Sequence, residues 1–332
     1  MQKLLKNREM LLAAIIVALL GLFSTRADGF ATPGNLANIF NDTSILIILA
    51  LGQMTVILTK SIDLSVAANL AFTGMAIAML DAAYPGLPLA LLILLAILIG
   101  AALGAINGFL VWFMQIPPIV VTLGTLTIYR GMAFVLSGGS WVNAHQMTPE
   151  FLNLPRLSVI GLPILSWTAI AIVLFMWFVL MRTAFGRATY ASGGNPVAAV
   201  YAGIDVGRTR FFAFVLSGAL AGLSGYLWVS RYAVAYVDIA AGFELDSVAA
   251  CVIGGISIAG GIGTVVGTVL GALFLGVIKN ALPVIGISPF AQMAISGIVI
   301  VLAVVFNARA EKKRGRIILR DRAAKEINEV TA

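Results

Sequence analysis

Apolar runs of helix-spanning length alternate with short polar intervals along nearly the whole chain, and that alternation predicts an all-α protein with about ten membrane-crossing helices. The first is the apolar run 10–23, a retained helix rather than a signal peptide because no A-x-A site follows it. Residues 26–42 are polar and read as an external connection. Residues 44–80 are interrupted only by Lys60, Ser61, Asp63 and Ser65. At about 1.5 Å per residue that run gives roughly 55 Å of helix, enough for two crossings and a tight break. A turn at 81–86 leads to a long helix at 87–114, and Pro117 and Pro118 stop it. A fifth span at 119–136 and a long external loop at 137–163 precede the sixth span at 164–181. The seventh is expected at 211–228, then an external segment at 230–246. A short eighth at 247–259, a ninth at 264–278 and a tenth at 290–305 complete the set.

The most informative polar interval is 183–210, TAFGRATYASGGNPVAAVYAGIDVGRTR after Arg182. Asn195 can cap a helix, Pro196 suits its first position, residues 197–202 give roughly two turns, and Gly203 suits the position past the end. A short helix held outside the membrane follows. It reads either as an ordinary connecting loop or as an element that takes a push from a soluble partner. Arg182, Arg187, Arg208 and Arg210 frame it, which places it in the cytoplasm by the positive-inside bias.

Composition agrees with the pattern: 61% of the 332 residues are hydrophobic and 11% charged, against a soluble norm of about 25% charged. The net charge of +7 comes from loops and a tail without interleaved aromatics, so it points to membrane topology and not to nucleic acid. With both termini inside, 16 of the 21 Lys and Arg residues are cytoplasmic, while the acidic residues divide evenly. The layout is a cytoplasmic N-terminus at 1–9, a membrane domain at 10–308 and a basic cytoplasmic tail at 309–332. The single cysteine, Cys251, lies in an apolar run and is read as packing.

Gly100, Gly104 and Gly108 lie four apart on the fourth helix, as do Gly263, Gly267 and Gly271 at the ninth, a spacing that lets another helix approach closely. Each triplet is followed by a proline break. Their echo fits a five-plus-five internal repeat, inverted because five is odd.

The sequence lacks a phosphate-cradling G-x-x-x-x-G-K-[ST] motif. His145 is its one histidine, which argues against His-based triads and metal clusters. Neither catalysis nor a metal or cofactor within the chain is expected. Among groups at membrane depth, Asp63 stands out, with Lys60 one helical turn earlier as a partner. The two either mark a cytoplasmic turn or belong to a broken helix facing a cavity, where Ser65 would join Asp63. Gln53, Asn69 and Asn107 are uncharged polar groups inside helices. Each can bond a sugar hydroxyl or a neighbouring helix.

Three stretches carry a family resemblance: SIDLSVAANLAFTG from Ser61, the 183–204 interval, and FELDSVAACVIGGISIAGGIGTVVGTVLGA from Phe243. Together they resemble permease subunits of ABC importers for ribose, xylose, arabinose, rhamnose and autoinducer-2. Ser61 and Ala67 depart from the usual pattern, which has glycines there. The loop with SGGSWVN is closer to rhamnose and autoinducer-2 permeases. The resemblance implies an inner-membrane permease that pairs with a second permease copy or a related one. It also implies a cytoplasmic ABC ATPase carrying ATP and Mg, and a periplasmic sugar-binding protein. Gly194, Asn195, Pro196, Ala198 and Gly203 would form the coupling segment on the ATPase. The competing reading is a self-sufficient secondary carrier or facilitator for a small polar solute.

Overall fold

The computed structural model describes residues 8–26 and 29–288 together with scattered positions from 291 to 305. The expected tenth span at 290–305 is described only at those scattered positions, and most of the N-terminal segment 1–9 and the tail 309–332 lie outside the described residues. Helix α1 (Arg8–Ser24) precedes α2 (Pro33–Leu58), α3 (Val66–Ala83), α4 (Leu89–Trp112) and α5 (Pro118–Ser137). A short strand β1 (Val142–Asn143), helix α6 (Pro149–Asn153) and the strands β2 (Ser158–Val159) and β3 (Leu162–Pro163) follow. Then come α7 (Ile164–Arg182), α8 (Ala184–Gly194), α9 (Pro196–Tyr201) and α10 (Val206–Tyr232). Strand β4 (Val234–Ala235), α11 (Phe243–Ile253) and α12 (Val265–Val284) complete the order. Strand β1 pairs antiparallel with β4, and β2 with β3.

Local chemistry sets many of the boundaries. Thr32 caps α2 ahead of Pro33, Asp205 caps α10 by accepting from the Arg208 N–H at 2.8 Å, and Thr264 caps α12 by accepting from Gly267 N–H at 2.9 Å. Proline opens α5, and Gly138 ends it in the left-handed conformation (φ 59°). The long helices α2 and α10 end on left-handed residues that are not glycine, Lys60 (φ 62°) and Ala233 (φ 58°). Lys60 follows α2 by two residues and Ala233 directly caps α10.

Helices α2 and α10 form the centre. In their most apolar windows 94% and 72% of residues are buried, against 28% in α4, α5 and α7, which form the rim. Close approach of backbones holds α4 to α10. A Cβ on Gly100 would lie 2.3 Å from Gly218 O, one on Gly104 2.3 Å from Phe214 O, and one on Gly108 2.9 Å from Phe211 O. Helix α10 also meets α3, where Gly74 and Gly225 face each other, and α2, where Gly52 lies against Ser217. Helix α12 packs along α11 and α2: Gly267 lies against Gly254, Gly271 against Ala250 O, and Gly276 against Thr43. Gly263 lies in the turn before α12, at φ 156°.

Seven helices among the described residues are long and apolar enough to cross a membrane, against about ten expected, so that number is not confirmed. Other expectations need correction. Helix α1 is 17 residues long, and the expected eighth span at 247–259 is instead an 11-residue helix, Phe243–Ile253. That is roughly 16 Å of helix, about half a crossing. It stops because Gly255, Gly260, Gly261 and Gly263 all take positive φ and turn the chain back. The polar stretch 26–42 is not all connection, since α2 already begins at Pro33. Its polar groups sit on the first three turns of α2, where Asp42 pairs with Arg231 at 2.6 Å and Asn35 donates to Phe30 O at 2.7 Å. The Lys60–Asp63 partnership also fails: α2 ends at Leu58, Lys60 is exposed, and the Asp63 carboxylate is taken up by Ser65.

The bundle has two ends. At one lie α8, α9, the 59–65 break and the glycine turn before α12. At the other lie α6 and the two strand pairs. Asp81 fastens that second end by accepting from Thr148 N–H (2.7 Å) and Oγ1 (2.8 Å), and Arg130 by donating to Val237 O (2.5 Å) and Ile239 O (2.9 Å).

Candidate functional site

Helix α9 is built from the cap that its sequence encodes. The Asn195 side chain accepts from Ala198 N–H at 3.1 Å, Pro196 occupies the first turn, and Gly203 turns the chain at φ 80°. The interval also holds a second helix without a strong sequence signal, α8, capped by Thr183 accepting from Gly186 N–H at 3.2 Å. Val197, Val200 and Tyr201 are all well exposed on α9, Tyr201 at 89%. Their i, i+3, i+4 spacing makes one apolar face on a two-turn helix.

Beneath this pair three chain segments meet. A Cβ on Gly193 would lie 1.7 Å from Leu58 O, so α8 rests directly on the end of α2. The same carbonyl accepts from Gly261 N–H at 3.0 Å, and a Cβ on Gly261 would lie 2.4 Å from Gly194 N. Tyr190 adds a bond from its hydroxyl to Gly263 O at 2.9 Å, and burial pushes its phenol up, keeping it a donor. Arg210 Nε donates to Thr59 O at 3.2 Å. Leu58 to Lys60, Gly193–Gly194 and Gly260–Gly263 thus form one joint. A cleft of about 360 Å³ opens beside it, lined in part by Arg8, Lys60, Gly194, Ser257 and Gly260.

The other predicted polar residues gather around the break between α2 and α3. With its amide turned to satisfy both groups, Gln53 donates to Asp63 O (3.0 Å) and accepts from Asp63 N–H (3.1 Å). The Asp63 carboxylate accepts from Ser65 N–H at 2.9 Å and Oγ at 2.7 Å, and Asn107 Nδ2 donates to Ser65 Oγ at 2.8 Å. Asn69 reaches Gly100 O at 3.0 Å and accepts from Thr73 Oγ1 at 3.2 Å. All five residues are buried and engaged with protein groups. The sequence reading passed over Tyr129, whose hydroxyl lies 2.8 Å from Leu103 O and 3.4 Å from Asn107 Oδ1, and Thr122, which donates to Ile62 O at 3.2 Å. A tyrosine one residue before Arg130 on an apolar helix was the available signal. The network ties α2, α3, α4 and α5 around irregular backbone, as backbone at membrane depth requires.

Gly194 itself has open space where a Cβ would be, whereas Gly193, its neighbour, has none. No group of three or more His, Cys, Asp or Glu side chains among the described residues could hold a metal ion.

A broken apolar bundle with a capped helix pair beneath it is the setting in which the comparisons fall. Residues 35–304 match the model of the branched-chain amino acid transport system / permease component family. The chain belongs to that family. It is accordingly a multi-pass transport component and not an enzyme. The D-allose transport system permease protein of Escherichia coli (strain K12) is 36% identical over 90% of this chain and 90% of its own length. The autoinducer 2 import system permease protein of Enterobacter sp. (strain 638) is 37% identical over 93% of this chain and 89% of its own. The ribose import permease protein of Escherichia coli (strain K12) is 36% identical over 92% of this chain and 95% of its own. No solved structure matches the permease chain.

Proposed function

We propose that the chain is the permease subunit of an ATP-driven importer that carries a monosaccharide-sized polyhydroxy solute across the inner membrane, with both termini in the cytoplasm. The observation that carries this reading is α9: a capped, two-turn helix that turns an apolar face of Val197, Val200 and Tyr201 away from the protein. An aromatic flanked by aliphatic side chains on a rigid element is the composition of an interface anchor. A cytoplasmic ABC ATPase is its partner. ATP and Mg bind there, and the permease needs no cofactor of its own. Gly194, Asn195, Pro196, Ala198 and Gly203 hold the docking helix in shape. A periplasmic binding protein delivers solute at the other end, and a second permease copy completes the pore.

The substrate class rests on the relatives, which are named for D-allose, ribose and autoinducer 2. The SGGSWVN segment supports L-rhamnose as a further member of the set to test. Gln53, Asp63, Ser65, Asn69 and Asn107 bond to protein groups, which supports a role in holding the broken helix from which the route is built.

The pairing of elements supports an inverted repeat. Helix α2 corresponds to α10, α3 to α11 and α4 to α12. The long helices end near left-handed residues, at opposite ends of the bundle. Helix α4 packs on α10 as α12 packs on α2, and α3 meets α10 as α11 meets α2.

Copurification of the tagged permease in mild detergent tests the reading. An ATP-binding subunit comes with the native chain and is lost from the triple variant Val197→Ser, Val200→Ser, Tyr201→Ser. An intact permease that comes out alone, and transports solute in liposomes without partners, would overturn it. The companion binding protein then serves to rank D-allose, D-ribose, autoinducer 2 and L-rhamnose by calorimetry.

A further inference from the structure

The β2–β3 hairpin just before α7 is built from LSVIGLP, residues 157–163, which contains no charged side chain. Ser158 pairs with Pro163, Val159 pairs with Leu162, and Ile164 N–H donates to Leu157 O at 2.9 Å. The two turn residues, Ile160 (φ 51°) and Gly161 (φ 77°), both take positive φ, the geometry of a type I′ turn that favours Asn or Gly at the first position. A β-branched residue there is strained, and Ile160 is 88% exposed, so no contact within the protein offsets that strain. Leu157 and Val159 are exposed beside it.

The hairpin's position says what covers this apolar tip. Helix α7 has 19 residues, roughly 28 Å of helix, and so just spans a hydrocarbon layer of about 30 Å. Its first turn therefore lies at the boundary of that layer, and the hairpin lies there too. Trp167 ties the two, its indole N–H donating to Val159 O at 2.8 Å. Trp167 begins an exposed stripe that continues through Ala171, Leu174 and Phe178 along the rim of the bundle. At the far end of α7, Arg182 lies over the Trp177 ring at 5.6 Å, so the helix carries an aromatic anchor, Trp167, at one boundary and a tryptophan–arginine pair at the other. The hairpin extends the lipid-facing surface of α7.

We infer that the β2–β3 hairpin is a membrane anchor, its Ile160 tip inserted at the headgroup and acyl boundary of the leaflet opposite the α8–α9 end. It holds the first turn of α7 at fixed depth while the joint at the other end moves. A lipid surface is the occupant because the tip is uncharged, apolar and continuous with a lipid-facing helix.

The test places an environment-sensitive fluorophore on Ile160→Cys, and separately on Val159→Cys, in the full permease reconstituted in phosphatidylcholine and phosphatidylglycerol vesicles. His145→Cys, in an exposed polar segment of the same end, is the reference. Blue-shifted emission at 160 and 159, quenched by brominated lipid and shielded from iodide, with water-like behaviour at 145, is the expected result. Water-like emission at 160 and 159 would overturn the inference, as would equal lipid quenching at 145. Emission that turns apolar only when the binding protein is added would also overturn it, and would make the hairpin a protein-docking tip.

Discussion

Two of the regions in which glycine makes close contacts differ in what lies on the other side. Along α4 and α10, Gly100, Gly104, Gly218 and Gly222 put one helix face against another, so each missing Cβ opposes the middle of a long hydrogen-bonded rod. At the joint, Gly193, Gly260 and Gly261 oppose chain ends: the last carbonyls of α2, the turn after it and the end of α8. Identical residue chemistry thus fuses two helices in one place and stacks three turns in the other. Packed helix faces resist displacement as a unit, whereas turns can absorb changes in φ and ψ. In the proposed importer, a push on α8 and α9 would arrive at the break that holds Asp63, and the fused α4–α10 pair would carry it onward as a rigid body.

The sharpest way to break this comparison is to add the same methyl group to each region. Gly100→Ala puts a Cβ 2.3 Å from Gly218 O and 2.6 Å from Gly222 Cα, and relief requires two helices to separate. A loss of about 3 kcal/mol is expected, with a large drop in detergent melting temperature and poor membrane yield. Gly193→Ala creates an even closer contact with Leu58 O, yet it should be relieved by movement of turns. Melting should fall by less than for Gly100→Ala while solute uptake is lost and the ATPase still copurifies. Equal melting losses in the two variants would erase the distinction.

Asp63→Asn comes next. It weakens the acceptor that takes both Ser65 bonds in a buried site, and should cost about 1–3 kcal/mol in thermal unfolding. Tyr129→Phe removes one hydroxyl from the same network and should cost about 1 kcal/mol, with uptake reduced but present. The smallest effect is expected for Asn195→Ala, which removes the α9 cap at a cost of about 1 kcal/mol confined to that helix, seen as faster amide exchange over 196–201 and weaker ATPase retention.

The residues that the sequence made legible are those whose conformation is decided within a few positions. Asn195, Pro196 and Gly203 specify α9 by capping chemistry alone, and the structure has that helix within a residue of the reading. The order of the long helices followed equally well from apolar run length. What stayed hidden was set by partners distant in sequence. Nothing near Lys60 demands a left-handed residue. The break there is held by Gln53 reaching Asp63 and by Gly261 reaching Leu58 O, contacts that no local pattern encodes. Hydropathy also could not separate a half-crossing from a full one at 247–259, because a turn built mostly of Gly, Ile and Ala is as apolar as a helix. Of the pair Gly193 and Gly194, only the α2 carbonyl overhead tells which has no room for a side chain.

Cys251, the chain's one thiol, is fully buried with its sulfur 3.2 Å from Ala50 O, deep between α11 and α2. For a thiol-directed reagent the native permease is thus already a silent background. Cysteines introduced at positions 145, 159 and 160 will label against it without first rebuilding the core around a serine or alanine. Measurements of depth and movement can then be made on a protein whose interior is unaltered.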